Sequence, residues 1–307
     1  MGNPQDIRRR IGSVKGTQQL THAMELVAAS RLMHAQERIE AQRPYALKLR
    51  EMIAALASTG ERHLHPLLRK RPLKNIDVLV LTSDRGLCGG FNTNICRTAE
   101  RYFRDNVRPW REGDRTAGDG KRAEGHGYRH DVADLLLIGK KGRDYFRRRD
   151  YPVRKEYPDV LITPRFERVQ AIGDELIAQY TARELDGVLM IYNEFKSATQ
   201  QDVIVEQLLP IEAAPEDTPA GLAYSYEPNR ETLLDNMLTL HVHIQLWRVV
   251  LESLASEMGA RMTAMSSATS NAGELIKSLT LSYNRARQET ITNELMEVIG
   301  GAEALRE

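Results

Sequence analysis

Leu233-Leu-Asp-Asn-Met-Leu-Thr-Leu-His-Val-His-Ile-Gln-Leu-Trp-Arg-Val-Val-Leu251 decides the architecture, because its apolar residues return in steps of four and three. Carried onward, the register runs Leu233, Met237, Leu240, Ile244, Trp247, Leu251, Leu254, Met258, Arg261, Met265, Ala268, Ala272, Leu275 and Leu279, and only Arg261 is not apolar. A mean step of 3.5 residues keeps one stripe of an α-helix turned toward a partner helix. No proline, which would remove a ladder hydrogen bond, occurs from Asn229 to Glu307. The spacing therefore predicts one helix of roughly 100 Å at about 1.5 Å per residue. A globular core does not need so long an element, so the expectation is a rod.

The partner lies at the other end of the chain. Ile7, Ile11, Val14, Ala28, Leu32, Ala35, Ile39, Ala46, Leu49, Ile53 and Leu56 follow the same register. Gln18, Thr21, Glu25 and Gln42 break it, and Leu20, Met24 and Val27 shift the stripe sideways. Asp6 is placed to cap the start of this helix, and Pro44 to kink it. The two helices pair antiparallel. The first spans about 52 residues and the second about 70, so roughly the last 20 residues should project alone. On the heptads alone, a generic coiled-coil scaffold remains an open reading.

Between the helices the period changes. Ile76–Thr82, Ala133–Gly139 and Gly187–Tyr192 are short, almost wholly apolar runs that suit strands buried on both faces of a parallel sheet. Helical stretches separate them, at Asn92 to about Arg104, Gly142 to Arg149 and Arg165 to about Ala182, which implies an α/β layer domain. Asp202–Leu209 alternates and follows Ser197-Ala-Thr-Gln200, which predicts an antiparallel edge strand. Residues 108–130, rich in Gly, Arg and His, read as a mobile surface loop. The fold class is thus α/β: a central Rossmann-like domain at 59–211 inserted between an N-terminal helix at 1–58 and a connecting loop with the C-terminal helix at 212–307.

Composition narrows the function. The hydrophobic fraction of 41% supports a buried core, and 28% charge fits much exposed helical surface. A formal net charge of +1 favours neither nucleic acid nor an anionic membrane as a partner, although Arg8-Arg9-Arg10 and Arg147-Arg148-Arg149 are locally basic. Two cysteines, Cys88 and Cys96, give no disulfide framework and suit a reducing compartment. No run approaches the ~18 apolar residues of a membrane span, and the N-terminus has no apolar signal core.

An α/β domain raises the question of a nucleotide. Asp84-Arg-Gly-Leu-Cys-Gly-Gly-Phe-Asn92 stands between a strand and a helix, where a phosphate cradle belongs, but it lacks the G-x-G-x-x-G spacing. Gly139-Lys-Lys-Gly142 lacks the upstream glycine and the Ser or Thr of a P-loop. Tight turns needing positive φ explain both better. His126 and His130 fall in the loose loop, and His241 and His243 point to different helix faces, so no metal set emerges. No histidine pairs with Cys88. The expectation is no catalytic, cofactor-binding or metal-binding residue.

Three stretches together carry a resemblance. Ile7-Arg-Arg-Arg-Ile-Gly-Ser-Val-Lys-Gly-Thr-Gln-Gln-Leu-Thr-His-Ala-Met-Glu-Leu-Val-Ala-Ala-Ser30, the glycine loop Asp84–Asn92, and Ser282-Tyr-Asn-Arg-Ala-Arg-Gln-Glu-Thr-Ile-Thr-Asn-Glu-Leu-Met-Glu-Val-Ile-Gly-Gly-Ala302 resemble, in order, parts of the γ subunits of F-type ATP synthases. Residues 108–130 depart from the family in length, and the dithiol insert of the chloroplast version has no counterpart. The resemblance implies a non-catalytic rotor shaft that turns with the membrane c-ring inside a ring of α and β subunits, with ATP chemistry on β. It implies that Arg287, Gln288 and Thr292 contact a β loop, the catch. Met24 would lie near the β lever, where charge disturbs coupling in the family, and Val298–Leu305 would sit in an apolar collar. Tyr224, Tyr226 and Glu227 would meet the c-ring and ε. Membrane association would come only through the complex, at the cytoplasmic face of the bacterial inner membrane. A Rossmann-type enzyme and a non-motor scaffold are the competing readings.

Overall fold

The computed structural model describes residues 4–57, 65–107, 130–211 and 230–304. The chain divides into two compact units, one of residues 1–29 with 261–307 and the other of residues 30–260. The division falls inside both long helices, α1 (Pro4–Ala57) and α5 (Arg230–Ala304).

The unit of residues 30–260 is built on a five-stranded sheet. In chain order it contains β1 (Asn75–Leu81), α2 (Phe91–Asn106), β2 (Val132–Ile138), α3 (Lys140–Arg147), β3 (Val153–Tyr157), α4 (Phe166–Thr181), β4 (Gly187–Phe195) and β5 (Gln201–Leu209). The strand order is β3-β2-β1-β4-β5, with β5 antiparallel to β4 and the other pairs parallel. The apolar runs fall at the centre because a strand covered on both faces must be apolar on both. In β1, Val78 and Val80 face Phe91, Ile95, Ala99 and Phe103 of α2. Leu79 and Leu81 face the other way, onto α4 (Val169, Ile172, Leu176), α5 (Leu238, Val242, Leu246) and Leu49 and Ile53 of α1. One sheet therefore has two cores.

Strand β3 escapes the sequence pattern. Its residues Val-Arg-Lys-Glu-Tyr are mostly polar, with Arg154 and Lys155 exposed, because it is an edge strand, where one side of the ladder meets water. Strand β5 is the opposite edge and is antiparallel as its alternation indicates; the Ser197–Gln200 turn closes it by reciprocal backbone hydrogen bonds of 3.1 and 3.3 Å. His130, placed by sequence in the loose loop, is instead buried. It forms a parallel bridge with Val107, its Nδ1 donates to the Leu73 carbonyl at 2.6 Å, and its Nε2 lies 2.7 Å from the Tyr102 hydroxyl. The rest of the 108–130 loop lies outside the described residues.

Helix α1 begins at Pro4, so Asp6 sits inside its first turn, where it pairs with Arg9 at 3.0 Å, and is not the cap. A carboxylate there still complements the positive end of the helix dipole. The helix continues past Pro44 to Ala57.

Candidate functional site

In the unit of residues 1–29 and 261–307, two helix segments meet along a narrow seam. Ile7, Ile11 and Val14 are half buried and Ala28 is buried, as their spacing requires. The polar residues between them do not break the seam. Thr21 is buried with its hydroxyl 2.7 Å from that of Thr269, and Gln18 donates to the Thr269 carbonyl at 3.5 Å. Leu20 and Val27, expected to draw the stripe sideways, are 62% and 56% exposed, so they form a separate outward strip. Met24, between them in sequence, is half buried.

On α5 the seam holds Arg261 and Met265, both buried, then Ala272. Leu275 was expected to continue it but is 48% exposed, and Ile276 takes its place in the half-buried set with Leu279, Tyr283 and Ala286. Ile7 lines a hollow of about 330 Å3 with Leu281, Ser282, Arg285 and Ala286, so the start of α1 lies against this stretch of α5. Beyond it, every residue from Thr290 to Ile299 is exposed. That stretch includes Ile291, Leu295, Met296, Val298 and Ile299, an apolar content that water alone does not favour.

The residues expected at the catch stand at this end. Arg287, Gln288 and Thr292 are exposed, and the side chains of Arg287 and Gln288 make no hydrogen bond or ion pair with any described residue. The Thr292 hydroxyl donates to the Gln288 carbonyl at 2.9 Å, which leaves its lone pairs outward. Thr280, Ser282 and Thr290 bond in the same way to the carbonyl four residues back, so hydroxyls that would compete with the helix instead follow it. Tyr224, Tyr226 and Glu227 lie outside the described residues, as does Leu305, the last residue of the Val298–Leu305 tail.

The glycine loops are structural. Leu87 and Gly89 have φ of 65° and 54°, and Gly139 has φ of 93°. Asn92 holds the first loop through its Oδ1, which accepts from the Ser83 amide at 2.9 Å, and its Nδ2, which donates to Cys88 Sγ at 3.2 Å. At the second, a Cβ on Gly139 would stand 1.9 Å from the Thr82 carbonyl oxygen, and the Gly142 amide donates to Thr82 Oγ1 at 2.8 Å. Both turns close on β1. The thiol of Cys96 is pushed up to about 12 by burial, with Glu100 adding to the effect. His243 is buried with Nε2 2.8 Å from Asp174 Oδ1. Among the described residues no cluster of three or more His, Cys, Asp or Glu could hold a metal, and no helix is long and apolar enough to cross a membrane.

Sequence reasoning missed the hydrogen-bonded layer of Thr21 and Thr269. Thr21 stands among the expected breaks, and the expected α5 stripe passes through Ala268, one residue before Thr269.

Known proteins are similar to this chain along its whole length. A family model described as "ATP synthase" matches residues 3–305. The chain is 47% identical to an ATP synthase gamma chain from Anaeromyxobacter sp. (strain Fw109-5), over 310 residues and 100% of both chains. It is 43% identical, again over 310 residues and 100% of both, to one from Trichlorobacter lovleyi. In fold it is similar to a chain of the Euglena gracilis mitochondrial ATP synthase (OSCP/F1/c-ring, rotational state 3), with a TM-score of 0.64, 17% identity and coverage of 98% of this chain and 94% of that one. A chain of the Tetrahymena thermophila mitochondrial ATP synthase central stalk and c-ring gives a TM-score of 0.57 at 24% identity, covering 81% and 99%. This chain belongs to the ATP synthase gamma chain family.

Proposed function

We propose that the chain is the central rotor shaft of an F-type ATP synthase, carrying torque between a membrane c-ring and a ring of α and β subunits. It thereby couples proton or other ion flow to ATP synthesis or hydrolysis. In this reading catalysis resides on the β subunits, the chain binds no cofactor and no nucleic acid, and it reaches the cytoplasmic face of the bacterial inner membrane only through the complex. The observation that carries the reading is the helix pair of unequal length: α1 has 54 residues and α5 has 75, and the exposed stretch 290–299 follows the part of α5 that lies against the start of α1. A shaft needs a paired, hydrophobically sealed stem and an end free to meet other subunits in turn. Arg287, Gln288 and Thr292 supply donors and acceptors there for a β loop, Met24 lies on the stem near the β lever, and Tyr224, Tyr226 and Glu227 meet the c-ring and ε. Full-length membership of the family disfavours the non-motor scaffold.

The test is the double variant Arg287→Ala, Gln288→Ala in the assembled complex. Arg287 offers a planar, permanently charged fork to a carboxylate, and losing one charge-assisted contact is worth about 1.5–3 kcal/mol, roughly ten- to a hundredfold in rate. ATP turnover and proton pumping should fall by such a factor while the complex still assembles. Wild-type rates in a correctly assembled double variant overturn the assignment of the catch.

A further inference from the structure

Three arginines in the unit of residues 30–260 share one hollow, and none is neutralised. Arg38 of α1, Arg165 at the N-cap of α4 and Arg168 in its first turn line an open hollow of about 660 Å3, with Phe166, Glu167 and Trp247 around them. None of the three makes an ion pair with any described residue. Some arginines of the unit pair with carboxylates, as Arg147 does with Glu156, Arg149 with Glu100, Arg154 with Asp77 and Arg248 with Glu206, while others such as Arg85, Arg97 and Arg101 make no ion pair with any described residue. Glu167 is the one acid in the lining, so three positive charges and one negative leave the hollow at +2.

The local backbone adds to this charge. Arg165 is extended, at φ −127° and ψ 132°, and its side chain does not cap α4. The amides of Phe166, Glu167 and Arg168 thus begin a 16-residue helix without a side-chain acceptor, at the positive end of its dipole. The Phe166 and Trp247 rings meet edge to face at 5.9 Å and form an apolar wall.

The geometry points to a binding site for a small phosphate-bearing anion in this hollow. A carboxylate offers two oxygens and one charge, too few for three guanidinium forks beside a helix terminus. A phosphate group offers more oxygens and more charge, and Arg forks match its edges. The ligand chemistry is a phosphate or diphosphate group, from either an inorganic anion or a nucleoside phosphate. The site stands independently of the rotor reading.

Trp247 provides the readout, because it and Trp110 are the two tryptophans of the chain. In the full chain carrying Trp110→Phe, sodium pyrophosphate added at constant ionic strength should change Trp247 emission saturably, with half-saturation on the order of 1 mM or below. Replacing Arg38, Arg165 and Arg168 together by Gln should raise the half-saturation about tenfold or more. Equilibrium dialysis against labelled ADP separates the sources: ADP retained by the chain and released by the triple substitution assigns a nucleoside phosphate, and pyrophosphate binding without ADP retention assigns the inorganic anion. A second variant guards against misfolding of the first: Glu167→Gln removes the opposing carboxylate and should tighten pyrophosphate binding about two- to threefold. A response that does not saturate, an equal response to sodium chloride, or an unchanged half-saturation in these variants overturns the site.

Discussion

At the scale of single residues, two positions expose how the sheet is held. Gly139 turns the chain from β2 into α3 at φ 93°, directly over the Thr82 carbonyl. Gly139→Ala adds a strained backbone and a clash with main chain, and should destabilise the isolated chain by about 3 kcal/mol or more. Gly16 is the contrast: it is exposed inside α1 with nothing within 4 Å of an added Cβ. Gly16→Ala should stabilise by up to about 1 kcal/mol through helix propensity, and denaturant unfolding of the two variants checks both signs. Asp77 is the second kind of case. It lies fully buried on β1 beside Arg154 of β3, and burial pushes its carboxyl up to about 7 against the pull of that guanidinium. A folded-state pKa above the unfolded value means the folded chain holds the proton more tightly. The stability this contributes is complete below about pH 4 and is lost as pH rises through about 7. At about 1.4 kcal/mol per pKa unit the loss is at most about 4 kcal/mol. Asp77→Asn should remove this slope, so the difference in melting temperature between wild type and variant should move toward the variant from pH 5 to pH 8. A difference that stays constant with pH would mean that Asp77 does not titrate in this window.

At the scale of elements, what the sequence reveals depends on how much of an element is covered. Strands β1, β2 and β4 are legible because both faces are buried, so their runs Ile76–Leu81, Ala133–Ile138 and Gly187–Tyr192 are apolar except for Asp77 and Asp134. Strand β3 is not, since the sheet edge puts Arg154 and Lys155 at exposed positions. The long helices are legible from their period, but the period does not say which residues at seam spacing face inward. Thr21 and Gln18 do, whereas Leu20, Val27 and Leu275 do not. Of the candidate site, the exposed Arg287, Gln288 and Thr292 follow from helix length; their roles rest on resemblance, because an exposed polar residue carries no mark of its partner. The Thr21–Thr269 pair makes a claim of its own. A hydroxyl pair across the seam is satisfied in one register and broken by a slip of the helices. In a double-mutant cycle with Thr21→Val and Thr269→Val, the coupling should be about 1 kcal/mol in unfolding of the isolated chain. A coupling of zero would show that the two hydroxyls contribute separately.

At the scale of the whole molecule, the two units bury their side chains very differently. The unit of residues 30–260 covers both faces of its sheet, with Leu246 of α5 only 1% exposed among α4 and the strands. The unit of residues 1–29 and 261–307 has one seam, and the side chains from Thr290 to Ile299 are all exposed. Stability and function should therefore separate along the chain. Leu246→Ala deletes a fully packed side chain and should cost about 2–5 kcal/mol, which at roughly 2 °C per kcal/mol lowers the melting temperature by about 4–10 °C. Deletion of residues 290–307 removes ten residues (290–299) that are all exposed in the chain, and should shift the melting temperature of the isolated chain by no more than about 2 °C. In the assembled complex the order should reverse. If the projecting end meets other subunits, its exposed Ile291, Leu295, Met296, Val298 and Ile299 are covered there, at about 25 cal/mol per Å2 of apolar surface. The shortened chain should then support less ATP turnover and proton pumping than a Leu246→Ala chain assayed below its melting temperature. A large loss of stability in the isolated shortened chain would show that residues 290–307 pack within it, and full coupling by the shortened chain would show that its projecting end bears no torque.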